Sequence, residues 1–406
     1  MPSNGQNCSR RAVWLGYRVW LWSIAGVAAF CLCQGASSAE KPHGGGGFLL
    51  QKNAAGQRVA AEFYEDDEFE SIYRSNIDVE RKDFIPVDRL PEHPHLEEVF
   101  YGYGHVVRAD DFAHLAKIKG LRRLEIGFWG SDSEWATVDG EISKLEVLKQ
   151  IESLSLNVDG IGDDDLRFVA KLPRLTSIEL YAGGAEPHSG RKGPGCTDRC
   201  AEHLSKAAGL ESLRFHGNAG LSDRFVDRLT AGARNLKELD LDASLVTDES
   251  LRMLADRCPK LERLSLSSAE RLTDAGVGQL CRLEGIQSLR LSSGGISVEA
   301  AARITSLREL CLEGCVVTDQ GVAALARLQG LERLVLYGPQ LTDEQFGLFR
   351  DHPALQHMIV NGRRLTRDRT LPVLESMRSL RSASFVGNEA LEQAAERMLR
   401  ERGTPP

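Results

Sequence analysis

One stretch of the chain, residues 307–328, carries two cysteines at a spacing that could do chemistry. Cys311 and Cys315 lie four residues apart in LRELCLEGCVVTDQGVAALARL. At that spacing two thiolates can bind one metal ion, or two thiols can form a redox pair. Whether they do either depends on whether the stretch is unique in the chain, because a repeated pattern would assign its residues to packing.

A second candidate metal site lies around residue 196. Cys196 and Cys200 follow the insertion GGAEPHSGRKGPG, and His188 and His203 lie nearby in the sequence. Two cysteines and two histidines form a ligand set of the kind that Zn²⁺ prefers. The alternative is that Cys196 is a core residue of a repeat.

The stretch NVDGIGDDDL resembles a calcium-binding loop, in which Asp159, Asp163 and Asp165 would supply the oxygen ligands. Asp163 has an alternative role as the cap of a helix. No HExxH, GxSxG or GxxxxGK[ST] motif occurs, and no Ser/His/Asp group stands apart from the repeat described below. We therefore predict that the chain is not an enzyme and needs no cofactor.

The stretch 307–328 is not unique, because the pattern LxxLxL recurs along most of the chain. Between residues 236 and 380 the copies begin every 21 to 25 residues. That period is typical of leucine-rich repeats, in which each unit forms one short strand and one helix. We predict eleven or twelve units over residues 96–388. The clear and degenerate copies begin at Leu96, Leu121, Ile151, Leu175, Leu210, Leu236, Leu261, Ile286, Leu307, Leu331, Leu355 and Leu380.

The second half of each unit predicts a capped helix. VTDESLRML, LTDAGVGQL, VTDQGVAAL and LTDEQFGLF each place an apolar residue before Thr-Asp. A threonine or serine there accepts hydrogen bonds from free backbone N–H groups, and the aspartate places negative charge at the positive end of the helix dipole. Apolar residues then recur at helical spacing, as Val322, Leu325 and Leu328 do.

The composite pattern LxxLxLxxCxxVTDxGVxxLAxxCPxLxxL resembles the cysteine-containing subclass of leucine-rich repeats, known from the substrate-binding half of F-box ubiquitin-ligase subunits. LRELCLEGCVVTDQGVAALARL and LRMLADRCPKLERLSL carry the likeness. The resemblance implies an α/β solenoid, a curved arc with parallel strands on its concave face and helices on its convex face. No F-box-like helical segment precedes the repeats, which favours an exported bacterial member without an F-box.

The repeat assigns most cysteines to packing. Cys315 takes the place of an asparagine that continues a ladder between units, Cys258 and Cys196 take buried apolar positions, and Cys281 falls in a row of small residues. A buried free cysteine behaves as a small hydrophobe, so we predict no metal site and no disulfide. Cys311 is the exception, because it replaces an outward strand residue and faces the inner surface of the arc.

The residues that flank the second leucine of LxxLxL are predicted to line the concave face, because side chains alternate along a strand. One group there is acidic and lies beside arginines: Glu238, Asp240, Asp242, Arg214 and Arg263. Another combines exposed apolar and aromatic residues with a polar rim: Val335, Ile359, Tyr337, Cys311, Arg333 and His357. Apolar residues with a rim containing Tyr and Arg are typical of binding hot spots. We therefore predict ligand contacts at both groups.

The N-terminal segment predicts export. Residues 1–39 carry three arginines, no acid, the apolar run VWLWSIAGVAAFCLC and small residues before Glu40, as a signal peptide does. The alternative is an uncleaved membrane anchor, because the apolar run at 19–36 is nearly long enough to span a bilayer. Residues 40–95 are predicted to be a glycine-rich tether and N-terminal capping region, and residues 389–406 a C-terminal helical cap and tail.

Charge and composition bound the class of partner. The formal net charge is −8 and no run of lysine and arginine occurs, so we predict no nucleic-acid binding. Stacked repeats present a long preorganised surface, which favours a non-enzymatic scaffold that binds a protein or peptide on its concave face. Export would place it in the periplasm, the cell envelope or outside the cell. The alternatives are an intracellular substrate adaptor, as the F-box resemblance implies, and a structural protein of the cell envelope.

Overall fold

The computed structural model describes residues 46–52, 57–65, 85–101, 106–108, 110–127, 137–139, 142–158, 161–181, 195–217, 220–243 and 245–403. The predicted leader, residues 1–39, and nearly all of the insertion 183–195 lie outside these residues. The domain boundaries expected from the sequence therefore stay predictions.

Sixteen strands are found within those residues: β1 (Gly46–Lys52), β2 (Arg58–Glu65), β3 (Glu98–Tyr101), β4 (Val106–Arg108), β5 (Arg123–Ile126), β6 (Thr137–Asp139), β7 (Ser153–Leu156), β8 (Ser177–Tyr181), β9 (Ser212–His216), β10 (Glu238–Asp242), β11 (Arg263–Ser267), β12 (Ser288–Ser292), β13 (Glu309–Glu313), β14 (Arg333–Gln340), β15 (His357–Asn361) and β16 (Ser382–Val386). Fourteen of them form one sheet in the order β1, β2, β3, β5 and then β7 to β16. β1 is antiparallel to β2, and the thirteen strands from β2 onward are parallel to one another. β4 and β6 pair separately, also in parallel.

The leucines of LxxLxL explain the register of this sheet. From β10 to β14 equivalent leucines pair from strand to strand: Leu239, Leu264, Leu289, Leu310 and Leu334. All five are buried. Since side chains alternate along a strand, this register sends the leucines to one side of the sheet and the residues that flank them to the other. The predicted α/β solenoid, with one strand in each unit, is confirmed.

A helix follows most strands and packs its apolar side onto the same core. The helix Asp223–Gly232, for example, buries Phe225, which stacks on Phe215 of β9 with 5.7 Å between ring centroids. Among the described residues, the α-helices are Asp111–Leu115, Ala201–Leu204, Asp223–Gly232, Asp248–Arg257, Asp274–Gln279, Val298–Ala302, Asp319–Leu325, Asp343–Gly347, Arg367–Ser376 and Glu389–Glu401. The 3₁₀ helices among them are Val87–Glu92, Ile142–Val147, Asp163–Lys171, Asp198–Cys200 and Leu280–Arg282.

The predicted helix caps are confirmed. In seven units a Thr or Ser hydroxyl accepts a hydrogen bond from a backbone N–H group of the helix that it precedes: Thr197, Ser222, Thr247, Thr273, Ser297, Thr318 and Thr342. These bonds satisfy donors that have no partner inside the helix.

The aspartate that follows the cap has a second role, which the sequence did not predict. Asp223 reaches the next unit, where its Oδ1 accepts from the backbone N–H of Thr247 at 2.9 Å and its Oδ2 accepts from the Thr247 hydroxyl at 2.7 Å. The same double contact joins five more pairs: Asp163–Thr197, Asp198–Ser222, Asp248–Thr273, Asp274–Ser297 and Asp343–Thr366. We call these six contacts the aspartate ladder, because each links one repeat to the next.

The packing interpretation of the cysteines is mostly confirmed. Cys196, Cys258 and Cys315 are buried. The asparagine that Cys315 replaces in other units links neighbouring units, as Asn388 shows: its amide donates to the carbonyl oxygens of Gly362 and Leu365 in the preceding unit. It was wrong for Cys281, which is exposed. That residue lies in a single 3₁₀ turn, Leu280–Arg282, in which Leu280 alone takes the core position.

Candidate functional site

The candidate site lies on the face of the sheet that points away from the core, which corresponds to the concave face expected from the sequence. We call it the outer face. It is built from the residues that flank the core leucines, and the parallel register aligns them in rows across the strands. The central row runs through Asp240, Ser265, Arg290, Cys311, Val335 and Ile359 on β10 to β15. The register therefore brings the predicted acidic group and the predicted apolar group onto one continuous surface.

Within the acidic group, Glu238 is held by arginines on both neighbouring strands. Its Oε1 accepts from Arg214 Nε at 2.7 Å and its Oε2 lies 3.2 Å from Arg263 Nη2, while only 6% of its side chain is exposed. Burial alone would raise the pKa of Glu238, but the two guanidinium groups outweigh that effect and hold its pKa below the ordinary value. Glu238 is thus a neutralised, structural part of the outer face.

Asp240, two residues along the same strand, has the opposite character. Its exposed fraction is 7%. Burial raises its pKa, and the opposing effects of the neighbouring His216 and of a hydrogen bond from Ser265 do not cancel that rise. Because the folded state disfavours its ionised form, this carboxylate lowers the stability of the fold at neutral pH.

An aromatic pair borders this carboxylate. Tyr181 of β8 and His216 of β9 are in register, and their rings stack with 4.8 Å between centroids. Asp242, on the same strand as Asp240, remains partly exposed and accepts the backbone N–H of Gly217 at 2.9 Å. Tyr181 and His216 were not among the predicted site residues. Their signal was present, because they occupy the same position after the core leucine as Asp242 does.

The apolar group differs from its prediction in one residue. Val335 was predicted to be exposed, but only 5% of its surface is accessible. Cys311 and Ile359 lie beside it in register on strands about 4.8 Å away, so their side chains cover a short branched one. Cys311, Ile359 and Tyr337 are partly exposed, as expected from their strand positions.

The polar rim of the apolar group is also in place. Arg333 and His357 pair in register on β14 and β15, and both are partly exposed. His357 Nδ1 lies 2.8 Å from the hydroxyl oxygen of Ser382. Burial, and then the positive charges of Arg333 and Arg381, lower the pKa of His357. The residue is therefore a neutral hydrogen-bonding group at neutral pH.

The candidate zinc and calcium ligands that the structure describes mostly have other partners than the sequence suggested. Cys196 and Cys200 lie together with Asp163, whereas His203 Nε2 lies 3.7 Å from Asp164 Oδ1. His188 lies outside the described residues. Among the calcium candidates, Asp163 accepts from Thr197 in the aspartate ladder. Asp165 accepts the backbone N–H of Gly162 at 2.8 Å, and Asp159 is not described.

In the part of the chain that the structure describes, no helix is both long and apolar enough to cross a membrane. The apolar run at 19–36, on which the prediction of an anchor depends, lies outside that part.

Comparison with known proteins identifies the repeat. A family model described as leucine-rich repeat matches residues 303–326. An internalin from Listeria monocytogenes is 18% identical, with 63% of this chain and 71% of that chain covered and a TM-score of 0.42. Internalin C2 from the same organism is 19% identical, covering 58% and 87%, with a TM-score of 0.39.

The yeast complex of Rad7 and Elc1 contains a further similar chain. It is 14% identical, with 95% of this chain and 94% of that chain covered and a TM-score of 0.49. At these identities and TM-scores none of the three structures carries an argument about ligands. The assignment of the fold depends instead on the repeat in the sequence and on the single parallel sheet that it builds.

Proposed function

We propose that this leucine-rich repeat protein is a non-enzymatic scaffold that binds a protein or peptide on the outer face of its sheet. Two features support the proposal. The outer face is built on the parallel sheet, whose register fixes its side chains before any partner arrives, which lowers the entropic cost of binding. From β10, which carries the three acidic residues, to β13, where the apolar group begins at Cys311, is three strand spacings, about 14 Å, so one extended segment could contact both groups.

The observation that carries the proposal is Asp240. A buried carboxylate that disfavours its own ionised form costs stability, whereas the row that contains it accepts serine, cysteine or valine on other strands. Residues whose burial or charge lowers the stability of the fold with no structural gain are concentrated at functional sites. Glu238 lacks this signature because its two arginines compensate its charge.

The surroundings of Asp240 suit a basic side chain of the partner. A lysine or arginine placed over the acidic group would supply Asp240 with a close opposite charge, and Asp242 would add a second, more exposed carboxylate. The stacked Tyr181 and His216 rings would cover the flank of the cation. We therefore expect the bound segment to be basic where it crosses β10.

The test is Asp240→Asn, which keeps the shape and an acceptor for Ser265 but removes the charge. We expect its free energy of unfolding at pH 7 to exceed that of the wild type by about 0.5–2 kcal/mol, the usual gain when a functional compromise is removed. In the wild type, stability should fall as the pH rises from the unfolded carboxyl pKa, about 3.9, to the higher folded pKa. The variant should lack this fall. Urea unfolding across pH measures both.

The same variant tests binding. On an array of lysine- and arginine-containing peptides, we expect the best wild-type ligands to bind at least about tenfold more weakly to Asp240→Asn, a loss of about 1.4 kcal/mol. Ser384→Ala, on the same row at β16, is the matched control and should bind as the wild type does. If Asp240→Asn keeps full affinity while Tyr337→Ser loses it, the basic-ligand site at β10 is wrong and the apolar group is the contact surface.

We further propose that the protein is exported and acts outside the cytoplasm. The support is the sequence alone: an arginine-containing start, an apolar run, and small residues before Glu40. Mass spectrometry of the protein from its native cell should find a mature N-terminus at Glu40. An intact Met1 in the cytosolic fraction would instead favour the intracellular adaptor.

A further inference from the structure

We propose that Cys196, Cys200 and Asp163 bind a thiophilic divalent cation of the Zn²⁺ type at the junction of two repeats. The two Sγ atoms and a carboxylate oxygen of Asp163 all lie within 4.8 Å of one another. Both cysteines are buried and Asp163 is partly exposed. In the sequence, Cys196 and Cys200 were candidate zinc ligands together with His188 and His203, and no metal was predicted because the repeat assigned Cys196 to packing. The fold adds a carboxylate from the preceding unit.

The repeat explains why Cys200 faces Asp163. Cys200 lies three residues after its cap, and the equivalent Ser250 donates its hydroxyl to Asp223 of the preceding unit at 2.5 Å. At the equivalent Gly276, an added Cβ would lie 2.1 Å from Asp248 Oδ1. This position therefore points at the ladder aspartate of the preceding unit in several repeats, and here it holds a thiol.

Cys196 supplies the second sulfur from the position just before the cap. In the other described units that position is aliphatic and lies in the core or against it: Leu221, Val246, Leu272, Ile296, Val317, Leu341 and Leu365. Among the units that the structure describes, sulfur occupies both positions only in this one. Packing alone accounts for either cysteine singly, but it gives no reason for two thiols to meet a carboxylate.

The donor set fits a Zn²⁺-like ion. Zinc prefers four tetrahedral ligands with Zn–S bonds of about 2.3 Å, which places two bound sulfurs about 3.8 Å apart, so the cluster needs to contract only slightly. Thr197 orients the Asp163 carboxylate by donating its N–H and hydroxyl, each at 2.7 Å, as outer-shell groups do at metal sites. A water molecule, or the Ile161 carbonyl that lies 3.8 Å from Cys196 Sγ, would complete the four.

Binding has a defined proton balance. Thiols bind such ions only as thiolates, so each ion must displace the Cys196 and Cys200 protons into solution. The ion replaces two S–H bonds with two metal–sulfur bonds and changes no oxidation state.

The test is a titration of the reduced full chain with Co²⁺, followed by competition with Zn²⁺. We expect one equivalent of Co²⁺ to produce thiolate-to-metal charge-transfer absorption, two protons to be released for each ion, and Zn²⁺ to abolish the absorption. Cys196→Val, which restores the aliphatic residue of the other units, should raise the Kd by more than about 100-fold, beyond what loss of an outer-shell group costs. Cys200→Ser, which introduces the residue type found at the equivalent Ser250, should weaken Co²⁺ binding similarly.

The controls separate a built site from general thiol binding. Cys258→Ala removes a buried cysteine elsewhere in the core, and Cys281→Ser removes an exposed one, so both should bind Co²⁺ as the wild type does. Circular dichroism establishes that each variant is folded. Three results would overturn the proposal: no charge-transfer band in the wild type, a band unchanged by Cys196→Val, or a Cys196–Cys200 disulfide in the protein isolated from its native cell.

Discussion

Replacing Glu238 by alanine is expected to lower the free energy of unfolding by about 3–5 kcal/mol, the usual cost of breaking a buried ion pair by removing one partner. Glu238 is 6% exposed and lies between Arg214 and Arg263 on the two flanking strands. Without the carboxylate, the largely buried Arg214 guanidinium loses its 2.7 Å contact and keeps the more distant Glu179 at 3.8 Å. Urea unfolding at pH 7 measures the loss.

The matched control is Glu309→Ala, which removes a glutamate from the equivalent position of β13. Glu309 accepts a hydrogen bond from Ser288 at 3.3 Å and is partly exposed. Because solvent screens it, its loss should cost less than about 1 kcal/mol. Equal losses at the two positions would show that the strand position, rather than the buried ion pair, determines the cost.

The pH dependence of the Glu238 contribution has a definite sign. The folded pKa is lowered below the unfolded value of about 4.3. Its stabilisation is therefore complete above that unfolded value and is lost as the pH falls through the lower folded pKa. The difference in stability between the wild type and Glu238→Gln should shrink in the same acidic range. A stability difference that stays constant through that acidic range would contradict the prediction.

The sequence predicted the sheet because one periodic signal dominates its packing. Leucines such as Leu239, Leu264 and Leu289 occupy one position in every unit, and burying them fixes the strand, its register and the face that stays outside. The caps were predictable for the same reason, since Thr-Asp recurs at a fixed distance from the strand. Local chemistry and the fold agree at these positions.

The character of the site residues could not be predicted in the same way. Glu238 and Asp240 are acidic neighbours on one strand and look alike in the sequence, but only Glu238 has an arginine beside it on each adjacent strand. Val335 looked exposed because a strand alternates, whereas its cover comes from Cys311 and Ile359 on other units. Each property depends on side chains more than twenty residues away, and a pattern within one unit does not contain them.

The aspartate ladder was missed for a related reason: its bonds join consecutive repeats. Replacing Asp223 by alanine is expected to lower the free energy of unfolding by about 3 kcal/mol, since hydrogen bonds to a charged group contribute about 1.5–3 kcal/mol each and their losses do not add fully. Asp223 accepts three such bonds, from the Thr247 N–H, the Thr247 hydroxyl and the Ser250 hydroxyl. Chemical unfolding measures the change.

A series of three variants, two in the aspartate ladder and one at Asp319 outside it, tests whether the bonds between consecutive repeats determine the cost in stability. Asp274 accepts two bonds from Ser297, at 2.6 and 2.8 Å, and Asp319 accepts one from the Gln345 amide at 2.7 Å. The loss in free energy of unfolding should therefore decrease from Asp223→Ala to Asp274→Ala to Asp319→Ala. Each unit of a solenoid is held by its neighbours alone, so the ladder is part of the coupling that makes the stack cooperative. If the three variants lose the same stability, the aspartates act only on their own helix N-termini and the ladder contributes nothing between repeats.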